Sequence, residues 1–387
     1  MKENLSLVFT GDIGFDRYMH EKWNDEKLLS EDVLDFFKEA DHVIPNVEGP
    51  LVALKNESNE GTGQLIHAMD PEAVRVLRRI RADIWNLCNN HIMDAGEDGV
   101  RATLDKAAEE GVKTVGAGMN LDEAARPLIL EGAGGAGIFS VGYRRGCKPA
   151  GENKAGCLNW NERDIIKANI EQIKKKCRWC IVIAHGGEEF TSLPSPYTRD
   201  RYLDFLDMGA DIVVSHHPHV PMNYECVGKK MIFYSLGNFI FDTDYQRAQY
   251  NTERGVLLKL RLSEDDWDFE AKGLLIDRND ERVKGDRLPV IFTGVDAKEY
   301  ALLAPLAAKM FVAATKRREI YLNPDEYRNA DDAKWEENFS DPMRSGRVPG
   351  EALDFQIICP LAKKAEDGEW KKSSLKAVAD YILAQTD

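Results

Sequence analysis

Histidine is scarce in this chain, with 8 among 387 residues, and basic residues are outnumbered, 51 Lys and Arg against 66 Asp and Glu. The resulting net charge of −15 argues against a nucleic-acid backbone as the natural partner, because binding phosphates calls for a basic surface, while leaving local positive patches or bound metal to attract an anion. Also missing is any apolar run approaching the roughly 18 to 20 residues that a membrane-spanning helix needs. The opening MKENLSLVFTGD runs almost at once into a strand pattern. That leaves no space for the apolar segment and cleavage site of a signal peptide, so the expectation is a cytoplasmic protein without a membrane anchor. Seven cysteines, an odd number spread over a long chain, exclude a disulfide framework. Cys177 and Cys180 form an isolated C-x-x-C, which reads as two reduced thiols at a helix-to-strand junction. Neither a solenoid-period repeat nor a low-complexity tract occurs.

What is present is an ordinary globular composition, 43% hydrophobic and 30% charged, long enough for one large α/β domain and an appendage. One step recurs: an apolar strand followed at once by a metal-ligating or proton-handling side chain. A strand over 5–10 delivers Gly11-Asp12, and after a helix over 28–40 a strand over 43–47 delivers Glu48. Asp70-Pro71 reads as an N-cap and first helical position of a helix reaching residue 80. The strand over 83–88 delivers Asn89-Asn90-His91 and then Asp94. A helix over 97–110 closes at Gly111 before a strand over 112–115. The EGAGGAG stretch precedes a strand instead of joining a strand to a helix, which makes it a tight turn and not a phosphate cradle. A loop over 143–160 carries Arg144 and Arg145, placed to meet an anion or simply basic surface.

A helix over 161–177 and a strand over 179–184 then deliver His185-Gly186-Gly187-Glu188-Glu189. A helix over 195–208 and a strand over 211–214 deliver Ser215-His216-His217-Pro218-His219, where three of the eight histidines fall within four positions. Beyond about residue 246 the pattern changes to paired antiparallel strands over 255–262 and 268–276, a short strand over 290–292 and a helix over 295–317. A polar irregular stretch over 323–350 and a last helix over 373–385 follow, and none of these segments delivers ligand-type residues. The expected organisation is a domain over 1–285 with a mainly helical extension over 286–387 packed on it.

Five strand ends carrying Asp12, Glu48, Asn90, His185 and the His217/His219 pair form a joint signal. Carboxylate, amide oxygen and imidazole together suit Mn²⁺, Fe²⁺ or Zn²⁺. A carboxylate shared by two ions about 3.5 to 4 Å apart is the arrangement used for in-line displacement at phosphorus. An Asn-His pair adds an imidazole that is free to handle protons.

In their order, the motifs GD, NVEGPL, NNHxxDxG, HGGEEF, HHPHV and SLGNFIFD resemble the CapA (PgsA-type) poly-γ-glutamate capsule biosynthesis proteins, a branch of the calcineurin-like metallophosphoesterase superfamily. The resemblance covers about residues 5–245. It implies an α/β/β/α sandwich of two packed sheets flanked by helices, with one or two divalent ions at the strand ends. Asp12, Glu48, Asn90, His185, His217 and His219 are the implied ligands, and Glu48 stands where a bridging aspartate usually sits. His91 is the implied non-ligand catalytic histidine, with Asp94 orienting it or capping a turn. His216 falls on a spacer position and is assigned no metal. Arg17 and Glu189 match family positions and are candidate substrate-binding residues, although a structural salt bridge serves equally well for Arg17.

Two departures stand out. Gly14 replaces the histidine of the usual D-x-H motif, leaving the first ion short of a ligand, and the N-terminal anchor of capsule-type members is not expected here. The implied function is a hydrolase in which a metal-bound hydroxide attacks a phosphoester of a small or polymeric anionic substrate. The alternatives are metal-assisted chemistry on a γ-glutamyl amide and a noncatalytic acidic-polymer binding or assembly protein.

Overall fold

A computed structural model describes residues 4–53, 66–143, 146–331, 333–335, 337 and 375–386. Two sheets face each other. Strands β1 (Leu5–Ile13), β2 (His42–Val47) and β3 (Ile84–Asn86) run parallel in the first sheet, with Lys113–Val115 beyond β3 and the antiparallel strands Arg254–Leu262, Trp267–Asp277 and Arg282–Asp286 on the other side of β1. The second sheet is built on β4 (Trp179–His185) and β5 (Ile212–His216), which lie parallel between Ala136–Gly142 and Lys230–Phe233. A further short strand, β6 (Asn238–Ile240), pairs in parallel with the carboxyl end of β1.

The layering follows from the period of two along each strand. Leu7 and Phe9 of β1 meet Ile181 and Ile183 of β4 and Val214 of β5 in the core between the sheets. The intervening Val8 packs outward with Val76, Leu77 and Val100 from the helices over the first sheet. Val182 and Val213 pack outward with Ile166, Ile170, Tyr202 and Phe205 from the helices Arg163–Lys174 and α1 (Pro196–Asp207) over the second. Both sheets are thus covered by helices on their outer faces, the sandwich that the motifs implied.

The chain beyond the sheets is dominated by α2 (Ala297–Leu322), which opens with a capping box between Asp296 and Glu299. Leu303, Leu306 and Met310 of α2 form a separate core with Leu193, Ile291 and the helix α3 (Lys376–Leu383). Residues 290–292 are not a strand: they form a turn, and Gly294–Val295 instead makes the edge strand of the second sheet. Two further strands were not foreseen: Tyr224–Val227, which lies between Lys230–Phe233 and Gly294–Val295 in the second sheet, and Arg282–Asp286, the edge of the first. The helix expected over 28–40 spans only Glu31–Phe37, and α2 runs to Leu322 instead of stopping at 317. Arg144, Arg145 and most of 323–350 lie outside the described residues. No helix among the described residues is long and apolar enough to cross a membrane.

Candidate metal centre

The parallel strands of both sheets end at one edge, and their registers align what they carry. Asp12 of β1 pairs in register with Asn46 of β2 and Asn238 of β6, and Asn46 with Asn86 of β3. In the other sheet His216 of β5 pairs with His185 of β4. Glu48 follows β2 directly, Asn90 follows β3, and His217 and His219 follow β5.

Ligand-type atoms converge in two groups that share one residue: Glu48, His185 and His217 form one, and Asp12, Glu48 and His219 the other, with the atoms of each group within 4.8 Å of one another. All five residues are buried, Asp12, Glu48 and His185 completely. Glu48 Oε1 lies 3.8 Å from both His185 Nε2 and His219 Nε2. Asn90 joins them, its Oδ1 accepting from His185 Nε2 at 2.7 Å. Asp12 Oδ2, Glu48 Oε1, His185 Nδ1 and His217 Nδ1 are buried without a hydrogen-bond partner, although Asp12 Oδ2 is 3.2 Å from His219 Nδ1. Buried polar atoms left unsatisfied are costly. Here Asp12 Oδ2 faces His219 and Glu48 Oε1 faces His185 and His219, and carboxylates and imidazoles gathered in this way are a donor set that fits divalent ions, with Glu48 common to both groups.

The outer residues orient this set. Ser140 donates to Asn86 Oδ1 at 2.6 Å, Asn86 Nδ2 to Asn46 Oδ1 at 2.8 Å, and Asn46 Nδ2 to Asp12 Oδ1 at 2.8 Å. This buried chain ends on the carboxylate and fixes its rotamer. His219 Nδ1 bonds Asn238 Oδ1 at 3.0 Å, and with the ring proton placed there Nε2 is left for Glu48 and an ion. His216 Nδ1 stands 3.5 Å from Asp12 Oδ1, beside the ligand set without belonging to either group. His217 and His219 have φ of 99° and 59°, a left-handed backbone that β-carbon sterics disfavour and that is tolerated where the surroundings impose it.

Electrostatics separate the carboxylates. Burial alone would raise the Asp12 carboxyl, but hydrogen bonds and charge from His216 and His219 outweigh it and hold it well below the ordinary range. Burial, then the charge of Asp12, pushes Glu48 well above that range. Burial lowers His185 well below the usual imidazole value and His217 to about 4, so both rings present lone pairs. His219 goes the other way, to about 10, because Glu48 and Asp12 overcome its burial.

His91 Nδ1 bonds Asp94 Oδ2 at 2.7 Å, and its Nε2 meets Asn90 Nδ2 at 2.9 Å. His67 packs edge-on against the His91 ring at 4.2 Å between centroids, bonds Asp16 Oδ2 through Nδ1 at 2.6 Å and gives its backbone N–H to Asp94. Arg17 pairs with Asp244 at the surface, Nε to Oδ2 2.8 Å, the structural ion pair that the sequence left open. Glu189 lies on the rim with Oε1 3.9 Å from His217 Nε2, and it accepts from Arg318 of α2 at 3.2 Å. Sequence reasoning missed His67, Asn46, Asn86 and Arg318. The first lacks a strand in front of it, the two asparagines sit inside strands, and Arg318 lies in a segment expected to deliver nothing. At Gly14 an added Cβ would fall 2.5 Å from the Phe241 ring, so the histidine missing from the first motif has its place filled by an aromatic side chain.

The family model described as bacterial capsule synthesis protein PGA_cap matches residues 6–243. The chain belongs to this family. Among PGA_cap-related proteins, it is 33% identical over 253 residues to the PGA biosynthesis protein CapA of Bacillus subtilis strain 168, covering 63% of this chain and 65% of that one. It is 29% identical over 257 residues to the capsule biosynthesis protein CapA of Bacillus anthracis, covering 64% and 62%. The match therefore spans slightly less than two thirds of these relatives. A solved structure of a candidate 5′-nucleotidase from Staphylococcus aureus with α-ketoglutarate superposes with a TM-score of 0.46 at 14% identity, covering 77% of this chain and 57% of that one, too distant a likeness to argue from. All of the ligand set lies inside the family match, and Arg318 lies outside it.

Proposed function

We propose that the protein is a metal-dependent hydrolase acting on a phosphoester of an anionic substrate in capsule or poly-γ-glutamate metabolism. The observation that carries this reading is the pair of buried ligand groups sharing Glu48, an arrangement suited to two ions with a bridging carboxylate. Asp12, His219 and Glu48 would hold one ion, and Glu48, His185, His217 and Asn90 the other. Divalent ions held there, Mn²⁺, Fe²⁺ or Zn²⁺, would supply Lewis acidity to a phosphoryl oxygen and lower the pKa of a water.

The protein's own part is positioning and proton handling. Asp94 accepts from His91 Nδ1, which makes Nε2, facing Asn90 Nδ2 at 2.9 Å, the atom that would exchange a proton with the leaving oxygen. Burial, aided by His67, depresses the His91 pKa, and a depressed pKa makes the protonated ring a better acid. Hydrolysis of p-nitrophenyl phosphate, bis-p-nitrophenyl phosphate and γ-glutamyl-p-nitroanilide with added Mn²⁺ tests the reading. Turnover of a phosphoester that collapses in His91→Ala and His217→Ala supports it. Turnover of the amide alone assigns the site to γ-glutamyl chemistry, and turnover that survives both substitutions removes the site from the reaction.

A further inference from the structure

A pocket beside the ligand set has walls from two parts of the chain. One wall is the strand-end loop, with Glu189, Phe190 and His217, and Tyr143. The other comes from α2, whose Phe311, Ala314, Thr315 and Arg318 follow the i, i+3, i+4, i+7 spacing of a single helix face. The α2 face is held in place rather than draped over the opening. Ala314 packs with Phe190 and Tyr245, Tyr300 donates to Pro194 O at 2.9 Å, and Arg317 donates to Gln385 O at 2.7 Å.

Among the described lining residues Arg318 is the cation. Its side chain is 17% exposed, its Nη1 donates to Glu189 Oε2 at 3.2 Å, and its Nε is buried with no hydrogen-bond partner. An arginine presents five donors in a planar fork matched to carboxylate and phosphate. The bond to Glu189 uses Nη1 and leaves Nε unsatisfied, and a buried N–H without an acceptor calls for one. Glu189 places this fork next to the centre, since its other oxygen is 3.9 Å from His217 Nε2.

We infer that Arg318 binds an oxyanion group of the substrate, a phosphoryl or carboxylate oxygen, and positions it against the ligand set. The substrate-recognising part of the site is then supplied by a helix outside the family-matching segment. The inference rests on the proposed hydrolase reading for its location, but its test is separable. Binding of inorganic phosphate and of L-glutamate to the full-length protein is measured by calorimetry for wild type, Arg318→Lys and Arg318→Ala, with circular dichroism to establish that each variant is folded. KM and kcat are measured in parallel on the best phosphoester.

Loss of one charge-assisted bidentate contact weakens binding about tenfold or more. The expected result is that weakening in Arg318→Ala for at least one of the two anions, a partial loss in Arg318→Lys, and a rise in KM larger than the fall in kcat. A response to phosphate alone or to glutamate alone names which oxyanion the fork takes. Arg318-dependent binding without turnover of any ester removes the hydrolase reading and keeps the inference. Turnover with unchanged KM and unchanged anion binding in folded Arg318→Ala overturns the inference and keeps the reading, and a wild type that binds neither anion overturns the inference as well.

Discussion

Glu48 is common to both ligand groups, and its surroundings decide what its removal does. Burial and the neighbouring Asp12 raise its pKa, so ionising it at neutral pH opposes folding unless a cation is close. Glu48→Gln is therefore expected to melt no lower than wild type in excess chelator. With metal at a hundredfold excess over Kd the wild type should gain about 2.7 kcal/mol, as for any ligand of the native state alone, and the variant much less. Thermal melts with EDTA and with Mn²⁺ check this, and a variant already destabilised in EDTA contradicts it. In the proposed mechanism His91 handles protons and not ions, so His91→Ala should lower kcat about 10²- to 10⁴-fold while metal content, read by mass spectrometry, stays at the wild-type level. The residues legible in the sequence were those at or just after the end of an apolar run: Asp12, Glu48, Asn90, His185, His217 and His219 all lie near the carboxyl ends of their strands. Asn46 and Asn86 escaped because a polar residue within a strand is read against the apolar pattern, and their value lies in cross-strand registers that no local spacing reveals.

At the scale of elements, the carboxyl end of β1 changes partner. Residues 5–9 pair with Arg254–Leu262, whereas Asp12 pairs with Asn238 of β6. Two glycines make room for β6: a Cβ on Gly11 would fall 2.1 Å from Gly237 O, and one on Gly255 1.9 Å from Asn238 O. Because those obstacles are backbone, Gly11→Ala should cost about 3 kcal/mol or more and displace Asp12, seen as a lower Tm together with lost metal binding. Arg78 and Glu110 tie the helix Val74–Arg79 to the end of Gly96–Glu109 through Nε to Oε2 at 2.5 Å and Nη2 to Oε1 at 2.6 Å. The Arg78 guanidinium depresses the Glu110 carboxyl pKa. A depressed acid stabilises the fold above its unfolded value, near 4.3, and that contribution disappears as pH falls through the folded value. The Tm difference between wild type and Glu110→Gln should accordingly be present at pH 6 and shrink on acidification below about pH 4. Strand positions in the sheets were readable because buried parallel strands are continuous apolar runs. The strands Tyr224–Val227 and Arg282–Asp286, at or next to a sheet edge, were not, because half-exposed strands carry mixed residues. Residues 290–292 misled for the opposite reason: Ile291 and Phe292 are apolar because they are buried, which says nothing of their backbone.

For the molecule as a whole, the centre exists only because two sheets pack face to face. Asp12, Glu48 and Asn90 come from the first sheet, His185, His217 and His219 from the second, and the apolar layer between them sets their separation. The sequence shows the two halves but not their meeting, which depends on packing between segments far apart in the chain. The family match ends at residue 243, yet α2 brings Arg318 to the rim. A reading confined to the matched motifs therefore sees the ligands and misses one wall of the pocket. The central claim is that these groups form a metal centre bridged by Glu48, and metal stoichiometry tests it most directly. Inductively coupled plasma mass spectrometry on wild type and Glu48→Gln after dialysis against Mn²⁺ and then metal-free buffer should give between one and two ions per wild-type chain and less than half of that in the variant. A wild type that retains no ion, or a variant that retains as many as the wild type, contradicts the claim.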